Sequence, residues 1–174
     1  MPDHSKALPS GESRMTLEEE ATARTLILGL IHRYASLARE QPTATTSDQS
    51  TPTSSSYSIE PLFEAEGLIK LPDGRELSPS QLGEITRTNP PKLLRHNLTT
   101  VDIQFVAPDK AHCQSYIIAG THLKMPDHWG RWDDVVRRQE GGDGKWLFVE
   151  KVVVVDGMDP EGWLAQTLGP QVTQ

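Results

Sequence analysis

The sequence contains little cysteine and little positive charge. Cys113 is the single cysteine among 174 residues, so no disulfide can form within the chain and a reducing compartment is expected. Lysine and arginine number 17 against 24 aspartate and glutamate residues, which gives a net charge of −7. Proteins that bind nucleic acid need clustered positive charge to neutralise phosphates. The composition therefore argues against a nucleic-acid partner.

Long apolar stretches are also absent. No apolar run approaches the roughly 18 residues that a membrane-spanning helix needs. The first fifteen residues lack the basic start and apolar centre of a signal peptide. We therefore expect a cytoplasmic protein with no membrane partner.

Motifs for metal or phosphate binding are missing too. His122 and His128 are six residues apart across Pro126, and neither a His-x-x-x-His nor a Cys-x-x-Cys pair occurs. The glycine-rich stretch at residues 140–144 is acidic and joins two predicted strands, so it is interpreted as a turn and not as an anion cradle. No metal site is predicted.

The chain length fits one domain, since domains typically span roughly 100–200 residues. We predict a flexible tail at residues 1–15, a domain at 16–158 and a C-terminal extension at 159–174. Residues 41–56 are rich in Thr, Ser, Pro and Gln, with Asp48 as the one charge. Such a segment cannot bury enough apolar surface to offset its ordering entropy. It is predicted to be a disordered insertion.

One long helix is predicted near the amino terminus. Thr16 and Glu19 have the spacing of a capping box, which marks a helix start. Apolar side chains then recur at helical spacing: Ala23, Ile27, Leu30, Ile31, Tyr34, Leu37 and Ala38. We expect this face to pack on a sheet.

Residues 96–156 predict a four-stranded antiparallel sheet. Apolar and polar residues alternate over 101–106, 111–121, 133–139 and 146–155, and turn residues at 107–110 and 141–144 separate two of these pairs. Smaller elements precede the sheet: a helical turn at 58–63, a strand at 66–71 and a second helix from Ser78 that ends at Asn89. Residues 161–168 suit one or two final helical turns.

Three blocks of sequence carry a resemblance to a known family: residues 96–103 (His-Asn-Leu-Thr-Thr-Val-Asp-Ile), 130–134 (Gly-Arg-Trp-Asp-Asp) and 144–151 (Gly-Lys-Trp-Leu-Phe-Val-Glu-Lys). Together with Arg33-Tyr34-Ala35 in the helix, they resemble the SnoaL-like branch of the nuclear-transport-factor-two-like superfamily. The resemblance covers about residues 16–158. It implies an α+β fold in which a curved antiparallel sheet wraps around the amino-terminal helix to form a cone with an apolar pocket.

The resemblance also implies a function. Members include polyketide cyclases, dehydratases, dehydrochlorinases and isomerases, typically without cofactors and often as homodimers. We expect a cofactor-independent isomerase or cyclase of a small lipophilic or phenolic metabolite, of polyketide or terpenoid type, in fungal secondary metabolism. A scytalone-type dehydratase is the first alternative, and a non-catalytic module for lipophilic-ligand binding or dimerisation is the second, because a fold alone does not settle function.

His96 is the first candidate for catalysis, since family dehydratases have a catalytic histidine at the start of this strand. Imidazole can take a proton from an acidic carbon at neutral pH. The family partner is a carboxylate near the end of helix one, but the spacing from Tyr34 gives Arg39 at this position. A guanidinium cannot accept a proton, although it can stabilise an enolate or phenolate oxygen. The alternative is a solvent-exposed Arg39.

The second sheet strand offers two opposite faces. His122 shares a face with His112, Gln114 and Tyr116, while Cys113 and Ile117 point the other way. If the polar face lines the cone, His122 is a candidate general acid and Tyr116 a candidate substrate contact. The alternative is that this face is solvated or buried against another subunit.

The third strand adds Trp132 and Asp134 on one face. An Asp134 carboxyl inside an apolar cone would have a raised pKa and could act as an acid or base. The alternative for Asp134 is a structural cross-strand pair with an arginine. Trp132 is expected to be core or pocket wall, and Tyr34, Tyr116 and Trp132 are the predicted substrate contacts.

Overall fold

A computed structural model describes residues 15–38, 58–85, 88–141 and 144–169. The predicted insertion at 41–56, most of the predicted tail and Arg39 lie outside the described residues. Within the described ranges, no helix has the length and apolar character required to cross a membrane.

The first helix, α1, spans Leu17–Leu37, as its apolar spacing predicts. The capping box is present, because Thr16 Oγ1 accepts a hydrogen bond from the Glu19 backbone N–H and the Glu19 carboxylate accepts one from the Thr16 backbone N–H. The buried residues are Ala23, Ile27, Leu30, Ile31, Tyr34 and Leu37. The predicted apolar face is thus the face that packs against the sheet.

In the described residues, one sheet of six strands forms the rest of the cone. The strands are β1 (Phe63–Lys70), β2 (Glu76–Leu77), β3 (Leu94–Ala107), β4 (Lys110–Thr121), β5 (His128–Arg138) and β6 (Trp146–Met158), in the order β2-β1-β6-β5-β4-β3. The predicted antiparallel array is confirmed in β3 to β6. The earlier strand β1 makes the whole sheet mixed, because it runs parallel to β6.

Three short helical elements close the cone. Two are 3-10 helices, at Glu60–Leu62 and Pro79–Glu84, so the helix predicted from Ser78 exists as a 3-10 helix. The third is an α-helix, α2, at Trp163–Leu168. All three contribute residues to the wall of one cavity.

A buried ion pair lies between β5 and β6, where Asp134 and Lys151 are register partners. Lys151 Nζ donates to both carboxylate oxygens of Asp134 at 2.8 Å, and both side chains have 0% exposure. The same ammonium lies 4.3 Å from the ring centroids of Tyr34 and Trp132 and 4.5 Å from that of Phe148. The pair thus links the sheet to α1 through an aromatic cage.

Both members of this pair are shifted by burial. Loss of hydration raises the pKa of Asp134 and lowers the pKa of Lys151, while their mutual contact opposes each shift. Asp134 therefore has the structural cross-strand role, with Lys151 in place of the expected arginine. Both oxygens of its carboxylate already accept hydrogen bonds from Lys151.

We expect Lys151→Met to lower the free energy of unfolding by about 3–5 kcal/mol, because it leaves the Asp134 carboxyl buried without its partner. The double variant Lys151→Met, Asp134→Leu should recover most of that loss, since neither charge then remains. Urea unfolding monitored by circular dichroism measures the free energy of unfolding of the single and the double variant. A double variant as unstable as Lys151→Met would contradict the role of the charge pair.

Candidate active site

The cone contains one apolar cavity of about 350 Å³, within the usual size range for small-molecule sites. Its wall includes α1 residues, the inner face of the sheet, both 3-10 helices and α2. Aliphatic side chains such as Leu94, Ile117 and Val153 dominate the lining. Among the described lining residues, Glu60 is the one aspartate, glutamate, lysine or arginine. The cavity therefore suits an uncharged molecule.

Two histidines line this cavity beside Trp132. His96 comes from β3, and its ring centroid lies 5.3 Å from Trp132 and 6.1 Å from the ring of His128. His128 begins β5. Because β3 and β5 flank β4 in the sheet, the two imidazoles converge although they are far apart in sequence.

His96 is held in its neutral form. Burial is the largest cause that lowers the pKa of His96 to about 3; electrostatic interaction with His128 and, more weakly, with Lys151 adds to this shift, and the hydrogen bond to the Ala38 backbone carbonyl opposes it. Its Nδ1 atom is buried and has no hydrogen-bond partner among the described residues. At neutral pH this ring is an imidazole, and it is a weak base.

His128 has a carboxylate partner. Its Nδ1 lies 2.8 Å from Asp127 Oδ1, and Asp127 has no exposed surface. Burial acts to raise the pKa of Asp127, but hydrogen bonds from His128, Thr121 and the backbone N–H groups of Trp163 and Leu164 together lower it to about 2. The carboxylate is ionised and can only accept, so we assign the proton to His128 Nδ1.

This assignment makes His128 Nε2 the basic nitrogen of an aspartate–histidine dyad. The carboxylate fixes the ring and stabilises the imidazolium that forms when Nε2 takes a proton. The arrangement can perform general acid–base chemistry on a molecule in the cavity. The carboxylate comes from the residue next to the histidine in sequence, and not from α1.

Three of the predicted site residues, Tyr34, His96 and Trp132, line the cavity. The Tyr34 ring stands edge-on to Trp132 at 5.1 Å. Burial, followed by the charge of Asp134, raises the pKa of the Tyr34 hydroxyl. Tyr34 therefore stays protonated.

Two predicted residues lie elsewhere. Tyr116 is 45% exposed, because Ile117 and the small residues of β4 occupy the inner face and the polar face is turned outward. His122 is exposed and follows the end of β4 at Thr121. Neither residue is among those that line the cavity, so of the two alternatives for this face of β4 the outward orientation is the one observed. The prediction for Arg39 lies outside the described residues.

Sequence reasoning missed the dyad itself. It weighed His128 only as a metal ligand and did not single out Asp127. In a strand, adjacent side chains point to opposite faces, so adjacency argues against pairing. Asp127 and His128 can pair because Asp127 lies just before β5 begins. In the sequence, the Asp127-His128 dipeptide at the start of β5 was the signal that could have indicated this pair.

No protein-family model matches the sequence, and no curated protein matches it significantly. Solved structures do match in fold. A scytalone dehydratase candidate from Novosphingobium aromaticivorans has 14% identity and a TM-score of 0.62, over 83% of this chain and 91% of that chain. Hexachlorocyclohexane dehydrochlorinase LinA-type3 from Novosphingobium barchaimii has 10% identity and a TM-score of 0.63, over 83% and 93%.

A third similar structure is ActVI-ORFA from Streptomyces coelicolor, with 15% identity and a TM-score of 0.54 over 78% of this chain and 98% of that chain. At sequence identities of 10–15%, structural similarity to these proteins establishes the fold of this chain. The chain has the cone-shaped nuclear-transport-factor-two-like fold that its motifs predict.

We expect the His96 ring to stay neutral down to about pH 4, because its pKa lies near 3. Proton NMR of the imidazole signals between pH 8 and 4 measures this, with the signals assigned by their loss in His96→Gln. The exposed His122 serves as the comparison residue. A His96 midpoint near the ordinary value of about 6.5 would contradict the assignment.

Proposed function

We propose that the protein is a cofactor-independent isomerase or cyclase of a small, uncharged polycyclic metabolite of polyketide or terpenoid type. The observation that carries the proposal is the Asp127–His128 dyad, 2.8 Å between Oδ1 and Nδ1, at an apolar cavity that also contains His96. Proton transfer is the chemistry that these groups support best.

His128 is the proposed base, although the motif comparison favoured His96. A ring whose conjugate acid has a pKa of about 3 has little tendency to take a proton from carbon at neutral pH. His128 differs because its Nδ1 lies 2.8 Å from the ionised Asp127 carboxylate, which orients the ring and leaves Nε2 as the nitrogen without a proton. The neutral His96 ring contributes to the wall of the cavity, because its one N–H faces the Ala38 backbone carbonyl.

The proposed reaction begins at a carbon next to a carbonyl group. His128 Nε2 takes the proton, the C–H electron pair moves into the new C=C bond, and the carbonyl π pair moves to oxygen to form an enolate. Return of the proton from His128 to another carbon of a conjugated enolate completes an isomerisation. In a cyclisation the enolate carbon attacks a second carbonyl carbon, the π pair of that carbonyl moves to its oxygen, and His128 returns the proton to the resulting alkoxide.

Dehydration is the second candidate function. Isomerisation was favoured from sequence because Arg39 stands at the sequence position where family dehydratases have the carboxylate. Asp127 supplies a carboxylate from another part of the chain, so the missing carboxylate near the end of helix one no longer argues against dehydration. The same proton abstraction followed by departure of a hydroxyl group as water would be a lyase reaction. The product separates the two: an isomerase conserves substrate mass, whereas a dehydratase lowers it by one water.

The proposed substrate is uncharged because the described part of the cavity wall offers no lysine or arginine. The described lining includes neither lysine nor arginine, so a carboxylate or phosphate group would enter without a partner at a high desolvation cost. A flat, mostly apolar molecule with one or two carbonyl or phenol groups fits this lining.

Carbon-acid exchange tests the proposal. We expect the protein to accelerate deuterium uptake by 2-tetralone in deuterated water, and His128→Gln to reduce that rate roughly 10²–10⁴-fold, the usual contribution of a general base. NMR measures the rate, and His122→Gln is the matched control because this histidine is exposed. If His128→Gln retains the wild-type rate, His128 is not the base.

A non-catalytic ligand-binding module gives a different result. In that case 2-tetralone binds, as measured by quenching of tryptophan fluorescence, without any acceleration of exchange by the wild-type protein. Binding without exchange would therefore sink the enzymatic proposal while leaving the cavity as a ligand site.

Homodimerisation stays a prediction. Tyr116, Ile118 and Trp129 are 45%, 39% and 42% exposed on the outer face of the sheet, where a second copy could bury the same patch. We expect sedimentation velocity to show a dimer for the wild type and a monomer for Trp129→Glu. Leu17→Glu, at a surface position of 88% exposure on α1, is the control. A monomeric wild type would refute the prediction.

A further inference from the structure

The C-terminal segment, defined here as residues 159–168, forms part of the cavity wall. Its helix α2 contributes Trp163, Leu164 and Leu168 to the lining. A helix of six residues is not stable by itself. Its position over the cavity therefore depends on contacts with the rest of the fold.

Two sets of contacts hold the segment. Lys124 Nζ lies 2.7 Å from the Glu161 carboxylate and 3.8 Å from that of Asp159. In addition, the Trp163 indole N–H donates to the Asn89 carbonyl at 2.8 Å. These contacts place the segment, but none of them involves the candidate dyad.

Asp127 provides the connection to the dyad. Its Oδ1 accepts from the Leu164 backbone N–H at 3.2 Å and faces His128 Nδ1 at 2.8 Å. Its Oδ2 accepts from Thr121 Oγ1 at 2.8 Å and from the Trp163 backbone N–H. One carboxylate thus accepts hydrogen bonds from the first turn of α2 and from the ring of His128.

Gly162 shows how closely the segment approaches this carboxylate. A Cβ atom at this position would lie 2.8 Å from Asp127 Oδ2 and 3.0 Å from its Cγ. Contacts this short force a neighbour to move, so glycine is required for the observed position of the carboxylate. The orientation of the carboxylate is therefore set from the segment as well as from His128.

We propose that the C-terminal segment is a positioning element for His128, acting through Asp127. With the segment seated, the two backbone N–H groups fix the carboxylate plane, and the carboxylate fixes the Nδ1–H tautomer of His128. With the segment displaced, the carboxylate loses two donors and can rotate or hydrate. The coupling is reciprocal, because linkage requires His128 to stabilise the seated segment as well.

This inference rests on the proposed function for its catalytic meaning. If His128 is the base, the dyad is complete only when the wall containing Trp163 and Leu164 is in place. The seated segment then forms one wall of the cavity in which proton abstraction occurs, which limits the access of bulk water to an enolate.

The first test perturbs the segment and observes the histidine. In full-length Gly162→Ala, nitrogen-15 NMR at pH 8 should show His128 changing from the single Nδ1–H tautomer to a mixture of both tautomers. Gly29→Ala is the matched control, because a Cβ there meets nothing within 4 Å. His128→Phe identifies the signals. A His128 tautomer unchanged in Gly162→Ala overturns the proposal.

The second test perturbs the histidine and observes the segment. In full-length His128→Phe, which removes the Nδ1 donor and keeps a ring, the Trp163 and Leu164 amides should exchange with deuterium at least about 5-fold faster, the lower range of allosteric couplings. His112→Phe, at an exposed position on β4, is the control. Unchanged exchange overturns the proposal, whether or not Gly162→Ala folds. Neither readout uses a substrate, so absence of turnover would refute the proposed function and leave this coupling intact.

Discussion

The caged ion pair between Asp134 and Lys151 is the constraint on which the rest of the cone depends. Two charges with no exposed surface are tolerated only because each neutralises the other and the ammonium is surrounded by the rings of Tyr34, Trp132 and Phe148. The requirement for these contacts fixes β5 against β6 and α1 against both. Since Tyr34 and Trp132 also line the cavity, the same interaction that closes the core also determines where one wall of the cavity stands.

The cavity then gives its two histidines opposite properties. His96 is buried without a carboxylate, and its pKa falls to about 3. His128 is buried against an ionised carboxylate that four hydrogen-bond donors hold in place. Two identical side chains with ring centroids 6.1 Å apart therefore have different surroundings, one without a carboxylate partner and the other against an ionised carboxylate. Environment, and not residue type, makes the distinction.

Local sequence patterns predicted the elements better than they predicted the site. The helical spacing that includes Ile27 and Tyr34 identified the buried face of α1, and alternation identified β3 to β6. The parallel pairing of β1 with β6 has no local signature, since it depends on long-range docking. The orientation of β4 was equally open, because alternation defines two faces without saying which one is inside. His96 and Trp132 could be placed by motif, whereas the partner of His128 could not, because Asp127 reaches it through a bend at the strand entrance.

The adjacency of Asp127 and His128 has a consequence for how this protein can change. The proposed base and its carboxylate belong to one dipeptide, so their spacing is inherited as a unit and does not require two distant elements to keep their register. Much of the wall that a substrate would touch comes from other parts of the chain, including α1 and the 3-10 helices. Substitutions in those parts can alter which molecule fits while the acid–base pair stays intact. Selectivity and reactivity are thus modular in this fold, and each can evolve or be engineered largely without the other.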